Sequence, residues 1–519
     1  MTTLFVLLLA CAPGGTGKKP PESEPTMEDP PREPPVVALI PAPISLSIGE
    51  GDFVLSESTT FGGEGEGADA VARLVAASLE RSTGLPLGGG PDPDVLFMLE
   101  AGFEPESYEL AVSNEGVVIR ASDTAGLFYG GQSLRQLLPP ASFAVSSGGV
   151  AVEWRLPVVT VRDAPRYAWR GFMLDVARHF FTVEEVKRQI DLLAAHKFNR
   201  LHLHLTDDQG WRIEIRAWPD LAAIGGATEV GGGLGGFYTQ EEYADLVAYA
   251  AERAMIVVPE FDVPGHNNAA LASYDVLNES GVAEEPYTGQ GVISTPLWLD
   301  GPATAAFVED VFSELAELTP GPYLHVGGDE AVDISLSDYD AFMVRVQEIV
   351  AAHGKIPIGW DEIGEATLTP PVLAQLWFDD TRAYAAAEQG AGLILSPAEY
   401  AYFDMIHNFS ADYGQIWAGP VSVSTVYGWS GELEGVEAHG VEAALWTEMI
   451  DDEAKLDFMS WPRLAAMAEV AWTPTSARSW PEFEQRLGWH GARLEEAGVG
   501  FYRSTDVPWW TAAEVRGLP

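Results

Sequence analysis

The stretch GFMLDVARHFFTVEEVKRQIDLLAAHKFNRLHLHL, residues 171–205, decides the fold. It opens with a short apolar run, Gly171–Val176. It continues through Val183–Phe198, where Val186, Ile190, Leu193 and Phe198 recur at helical spacing, and closes with a second short run, Arg200–Leu205. Strand, amphipathic helix and strand in succession make a parallel βαβ unit. The same alternation continues outward. Further strands are predicted at Met255–Phe261, Tyr323–Val326, Ile356–Trp360, Ala374–Phe378, Gly392–Ser396 and Glu442–Trp446, with helices at Glu241–Ala254, Ala303–Leu318 and Asp340–Ala352. Eight strands over roughly three hundred residues fit the α/β class as a closed (β/α)8 TIM barrel, expected over residues 166–519. An open doubly wound sheet is the rival, and it would carry a glycine-rich phosphate loop after its first strand. Here that strand runs into Asp175-Val176-Ala177-Arg178, and no such loop follows.

Toward the N-terminus the pattern changes. Residues 36–165 read as a small α+β domain of short β-runs and one or two helices. Ser107–Val112 and Gly116–Ala121 alternate around Asn114-Glu115-Gly116 as a hairpin, and Ala68–Glu80 and Ala125–Leu138 have helical spacing. Nothing in it gathers titratable groups, so it reads as a packing domain. Residues 12–35, dense in Pro and Glu, form an extended linker. The apolar run before them ends Leu8-Leu9-Ala10-Cys11 and resembles a bacterial lipoprotein cleavage box, with residues 1–11 as the signal. By that resemblance Cys11 is lipidated, the only membrane contact is through that anchor, and the protein works in the cell envelope or outside the cell. Met1-Thr2-Thr3 lacks the usual Lys or Arg, which leaves a truncated ordinary secretion signal as the alternative.

Of the 519 residues 47% are apolar, enough for a large core, and the formal net charge is −48. Such a charge repels nucleic acid and anionic membranes, and no basic cluster of note stands out along the chain. The acidity reads as a solubility feature. One cysteine excludes an intramolecular disulfide and a thiolate metal cluster.

Polar and aromatic residues collect where the predicted strands end. Asp175 and Arg178 follow the first strand, Asp207 and Asp208 the second, and Glu260, Asp262 and His266 the third. Asp329 and Glu330 follow the fourth, Trp360, Asp361 and Glu362 the fifth, and Trp377 the sixth. Tyr402 and Asp404 follow the seventh, and Trp446 and Glu448 the eighth. In a barrel these positions meet at one mouth. Carboxylates with Trp, Tyr and Arg suit carbohydrate, whose C–H faces stack on indole and whose hydroxyls pair with carboxylate and guanidinium. Cleaving a glycosidic bond needs a general acid and a second group that stabilises an oxocarbenium-like centre. Adjacent carboxyls fit, because mutual repulsion raises one pKa and keeps a proton available. Asp329-Glu330 is preceded by Tyr323-Leu324-His325-Val326-Gly327-Gly328, a strand and a glycine turn that aim the pair into the mouth.

His325-Val326-Gly327-Gly328-Asp329-Glu330 resembles the signature of glycoside hydrolase family 20, the β-N-acetylhexosaminidases. So do Leu174-Asp175-Val176-Ala177-Arg178-His179-Phe180, Leu201–Trp211 and Glu260-Phe261-Asp262-Val263-Pro264-Gly265-His266. The resemblance implies an exo-acting, retaining enzyme with no cofactor, acting on oligosaccharides or glycoconjugates that end in N-acetylhexosamine. Glu330 would be general acid and base, and Asp329 would orient the substrate's own 2-acetamido group as it attacks to form an oxazolinium. Tyr402 would bind the acetamido oxygen, and Trp360, Trp377 and Trp446 would wall the pocket. Arg178, Asp404 and Glu448 would grip the sugar hydroxyls, with Asp207 and His266 behind Glu330.

Two other functions stay open: a retaining glycosidase with Glu330 and Glu448 as its carboxylate pair, and a non-catalytic carbohydrate-binding lipoprotein. His202 and His204 form the His-x-His seen in some metal sites, but no His follows strands five and six, so the pair reads as interior packing with no metal. His325 reads as a core histidine and Asp175, Asp208 and Asp262 as loop caps, while Asp361 and Glu362 reach the pocket rim at most and are not counted in the site. The loops Gly225–Gly236 and Asn278–Gln290 are expected to shape the aglycone side.

Overall fold

In the computed structural model, which describes residues 37–148, 152–331 and 333–517, the N-terminal part is a six-stranded sheet. The expected signal, Cys11 and the linker lie outside the described residues. The strands are β1 (Ser45–Val54), β2 (Phe61–Glu64), β3 (Val95–Leu99), β4 (Tyr108–Val112), β5 (Val117–Ala121) and β6 (Arg155–Asp163), in the order β1-β6-β4-β5-β3-β2. The predicted hairpin is β4–β5, paired antiparallel with Leu110 opposite Ile119. Both strands alternate buried and half-buried residues, since one face is covered by helices α1 (Ala68–Thr83) and α2 (Thr124–Leu137). Gly130 and Gly131, unfavourable inside a helix, are there for close approach. A Cβ on Gly130 would sit 2.5 Å from the Ile119 Cγ2, and one on Gly131 2.7 Å from the Val75 Cγ2.

Eight further strands close a parallel barrel: β7 (Trp169–Asp175), β8 (Arg200–His204), β9 (Ile256–Glu260), β10 (Tyr323–His325), β11 (Ile356–Trp360), β12 (Leu373–Leu376), β13 (Gly392–Leu395) and β14 (Ala438–Leu445). The ring closes where Leu445 of β14 pairs with Leu174 of β7. Helices α3 (Val183–Ala195), α4 (Gln240–Ala251), α5 (Thr304–Leu318) and α6 (Leu336–Ala352) occupy the predicted crossovers. Capping boxes start two of them: Thr182 with Glu185 opens α3, and Thr239 with Glu242 opens α4.

Sheet and barrel share one apolar core and a set of buried ion pairs. The Lys197 Nζ, beyond α3, lies 2.8 Å from the Asp163 carboxylate of β6, which also accepts from Tyr108 and Trp472. Arg170 of β7 pairs with Glu106 at 2.7 Å. Breaking a buried pair leaves an uncompensated charge, so these contacts lock the sheet to the barrel.

Candidate active site

The turn after β10 is built by glycines. Gly327 and Gly328 have φ of 66° and 97°, and a side chain on Gly327 would run into the Asp262 carboxylate. Asp262 itself accepts the Gly328 N–H at 3.1 Å, and Tyr339 donates to the Gly328 carbonyl at 2.8 Å. This clamp turns the chain so that Asp329 points inward and Glu330 outward. Glu330 and His266 also sit in left-handed backbone, with φ of 49° and 53°, a conformation that costs roughly 1–3 kcal/mol for such residues.

The two neighbouring carboxyls are unequal. Asp329 is 8% exposed, and its Oδ1 has no hydrogen-bond partner among the described residues. Burial, then the Asp262 carboxylate, pushes its pKa well above the usual range. Glu330 keeps 38% of its side chain exposed, and the His266 ring, 3.5 Å away, holds its carboxyl below the ordinary value. The pair therefore splits as expected, but in the opposite sense to that needed if the raised member were the proton donor. It is Asp329, the buried one, that holds its proton more tightly.

Behind them lies a column of charge. The His266 Nε2 is 3.6 Å from Asp329 and 3.5 Å from Glu330, while its Nδ1 is 3.3 Å from Asp207. Burial opposes a charged ring, yet Asp207 and then Asp329 hold the His266 pKa well above normal. Asp207 is in turn held low by Arg178 at 2.7 Å and by His266, against its own burial. From Asp207 the chain of contacts runs to His204 (2.8 Å), Glu260, His202 and Glu442 inside the barrel. His202 and His204 are thus interior, as read from sequence, but they belong to a buried hydrogen-bonded network and do not serve as apolar packing. His325 joins it at 3.1 Å from Glu260. His202, Glu260 and His325 each bring one ligand atom within 4.8 Å of the others, and their atoms are engaged with one another or with Glu442, His204 and Trp360, apart from the His325 Nε2, which has no partner among the described residues.

The mouth above is a cleft of about 510 Å³ lined by Arg178, His266, Asp329, Glu330, Trp377, Tyr402, Asp404, Trp446 and Glu448, together with Gln290–Val292, Phe378, Gln415 and Trp417. Trp377 and Tyr402 lie nearly parallel, 11° apart with ring centres at 6.2 Å, and Trp446 is 6.1 Å from Tyr402. Arg178 caps Trp446 at 4.9 Å. Asp404 Oδ1 and Glu448 Oε2 are buried without partners among the described residues, and burial raises the pKa of both carboxyls, that of Asp404 further because of Glu448. Buried acceptors of this kind call for hydroxyl or amide donors.

Most residues singled out from sequence converge here. Trp360 is a correction: it is 1% exposed, absent from the lining, and packed 5.7 Å from Trp446 with its indole N–H on Glu260 at 2.8 Å. It is a floor beneath the wall, because it is still part of β11, paired with Gln375 of β12, whereas Trp377 follows the end of β12. Asp361 and Glu362 are not rim residues either. Asp361 is fully buried and accepts the backbone N–H groups of Trp377, Phe378 and Asp379, while Glu362 accepts the Trp377 indole N–H at 3.0 Å. Asp175 accepts the Ala177 and Arg178 N–H groups, and Asp208 that of Asn268, as loop caps. Sequence reasoning missed Phe378, Gln415 and Trp417. The signal for Trp417 was a bulky aromatic in a long Asp- and Gly-containing loop, where nothing local asks for one; it is 51% exposed.

Two descriptions of one family match the chain in order: "Glycosyl hydrolase family 20, domain 2" over residues 36–164, and "Glycosyl hydrolase family 20, catalytic domain" over residues 167–339 and 335–475. A β-N-acetylhexosaminidase of Cellulomonas fimi is 40% identical over 494 residues, covering 92% of this chain and 98% of that one. The structure of a mutant Streptomyces plicatus β-hexosaminidase in complex with GlcNAc is similar with a TM-score of 0.88 at 45% identity, covering 93% of this chain and 99% of that one. The family 20 β-N-acetylhexosaminidase of Streptomyces coelicolor A3(2) has the same TM-score and identity over 92% of this chain and all of its own. With both domains matched in sequence order and the barrel mouth furnished for sugar, the chain belongs to glycosyl hydrolase family 20, the β-N-acetylhexosaminidases.

Proposed function

We propose that Glu330 and Asp329 divide the work of removing a terminal, non-reducing N-acetylhexosamine, with retention at the anomeric carbon. The reaction is substrate-assisted. Glu330 donates its proton to the glycosidic oxygen as the acetamido carbonyl oxygen attacks the anomeric carbon and the bond to the aglycone breaks. Asp329 accepts the acetamido N–H and stabilises the oxazolinium charge. A water then attacks the same carbon, breaking its bond to the acetamido oxygen and restoring the acetamido group, while Glu330 takes the water's proton. Substrate would cover the exposed flank of Glu330, and losing that water raises its pKa toward that of an acid. The positive oxazolinium would draw Asp329 into its charged form.

The observation that carries this reading is the buried, unpartnered Oδ1 of Asp329 beside an exposed Glu330, both on one histidine. Tyr402 is placed in this reading at the acetamido oxygen, Trp377 and Trp446 at the ring faces, and Arg178, Asp404 and Glu448 on the hydroxyls. A buried end to the cleft suits an exo-acting enzyme. The test is a pair of aryl glycosides, N-acetyl-β-glucosaminide against plain β-glucoside. Only the first should be cleaved, and equal rates would refute substrate assistance. Glu330→Gln should lower kcat by about 10²–10⁴-fold with sugar binding kept, and Asp329→Asn should lose rate mainly on the acetamido substrate. Unchanged turnover in Glu330→Gln would overturn its role. Anchoring through Cys11 is a further proposal resting on sequence alone; palmitate labelling of cells should disappear in Cys11→Ser, and labelling that persists would refute it.

A further inference from the structure

The seam between the sheet domain and the barrel holds a second cavity, of about 430 Å³, that shares no lining residue with the cleft. Arg81 of α1, Arg135 of α2, Lys187 and Arg188 of α3, and Arg253 just beyond α4 all line it. Five of the chain's 29 lysines and arginines therefore meet in one place, on a protein of net charge −48. No sequence window shows this cluster, because its members come from four separate helical segments.

Three of the five are occupied. Arg253 pairs with Asp191 at 2.6 Å, Arg188 with Asp457 at 2.7 Å, and Lys187 with Asp245. Arg81 and Arg135 have no ion pair among the described residues. The Arg135 Nε donates to the Ser142 carbonyl at 3.2 Å and its guanidinium covers the Phe143 ring at 4.3 Å, which leaves its two terminal nitrogens uncommitted. Burial pushes the Arg135 guanidinium down to about 10, with Arg81 adding to that and Asp191 opposing it. A half-buried cation without a direct ion pair, with only Asp191 acting on it from a distance, is an arrangement that an incoming anion improves. The wall also carries Ser78, Gln132, Tyr249 and the carboxylate of Glu184, and its apolar part is Leu74, Val75, Phe128 and Ala144, with Val145 standing 74% exposed at the edge.

We propose that this cavity binds a small amphipathic anion, one carboxylate, phosphate or sulfonate group on an apolar body. Arg135 and Arg81 take the charged group, and Val75, Phe128 and Val145 take the body. The volume lies in the range of small-molecule sites. Because its walls come from both domains, the ligand also ties them together and raises the melting temperature.

The probes are 1-anilinonaphthalene-8-sulfonate and dodecyl phosphate, titrated into the full chain by calorimetry, with inorganic phosphate as the anion lacking an apolar body. Each amphiphile should saturate a single site and raise the melting temperature, and inorganic phosphate should bind far more weakly. Arg135→Gln and Arg81→Glu should each weaken binding at least about tenfold, the loss of one charge-assisted contact. Both should hydrolyse aryl N-acetylhexosaminide at the normal rate. Should Arg135→Gln fail to fold, Arg81→Glu and Val145→Glu, both at exposed positions, give the same reading. Wild-type affinity in Arg81→Glu and Val145→Glu, competition by N-acetylglucosamine, inorganic phosphate binding as tightly as the amphiphiles, or no saturable heat would each overturn the proposal.

Discussion

Replacing Arg178 by Met should destabilise the protein in a way that depends on pH. The Arg178 side chain is 4% exposed and sits between two buried carboxylates, 2.7 Å from Asp207 and 3.3 Å from Asp175, with Gln209 on its Nε at 3.1 Å. Methionine keeps the volume and removes the charge. Exposed pairs are worth at most about 1 kcal/mol, but removing one partner of a buried pair costs about 3–5 kcal/mol, because the other charge stays behind. The sign of the pH effect follows from Asp207. Its folded-state pKa is depressed, chiefly by Arg178 against burial, so it stabilises the fold above the ordinary Asp value of 3.8 and that contribution is lost only in strong acid. In Arg178→Met the orphaned carboxylate takes up a proton at higher pH, and the deficit shrinks as pH falls from 7 toward 5. The assay is urea unfolding at both pH values, with Asp207→Asn made alone and in combination. The double variant should be more stable than the sum of the two losses by at least about 2 kcal/mol, as expected for charges in contact. A deficit under about 1 kcal/mol at pH 7, or strict additivity, would refute the reasoning.

Other expectations follow from single contacts. Gly327→Ala, at φ 66° and against Asp262, should lower both stability and turnover, whereas Gly354→Ala, at φ 73° with open space around it, should lose only about 1 kcal/mol and keep full activity; kcat of the two side by side decides it. Trp417 meets Trp377 and Tyr402 edge-on at 6.1 and 5.8 Å, so Trp417→Ala should cut kcat/KM by about two- to tenfold on substrates that reach it. Burial and Asp361 push the Glu362 carboxyl from 4.5 up to about 8. A raised acid favours the fold below its ordinary pKa and loses that contribution as pH rises through about 8, so the melting temperature should fall from pH 6 to 9 and Glu362→Gln should flatten the fall. An equally steep decline in that variant would assign the effect elsewhere.

Much of this was legible in the residues themselves. Apolar spacing in residues 171–205 exposed a strand, a helix and a strand because burial of one helix face and of a whole barrel strand leaves a local trace. Strand ends placed the site, since parallel strands in a barrel all deliver their C-terminal residues to one mouth. Other features had no local trace. Trp360 and Trp377 both stand at or next to the end of a predicted strand, yet only the barrel register, which pairs Trp360 with Gln375 and leaves Trp377 beyond β12, separates a floor from a wall. The proton balance of Asp329 and Glu330 depends on burial and on Asp262, His266 and Arg178, which lie up to 152 positions away in the chain. The basic cavity collects Arg81, Arg135 and Arg253 from helices whose sequences show nothing unusual. Periodicity records what each segment buries; charge state and binding sites arise from which segments meet, and only the folded chain sets those distances.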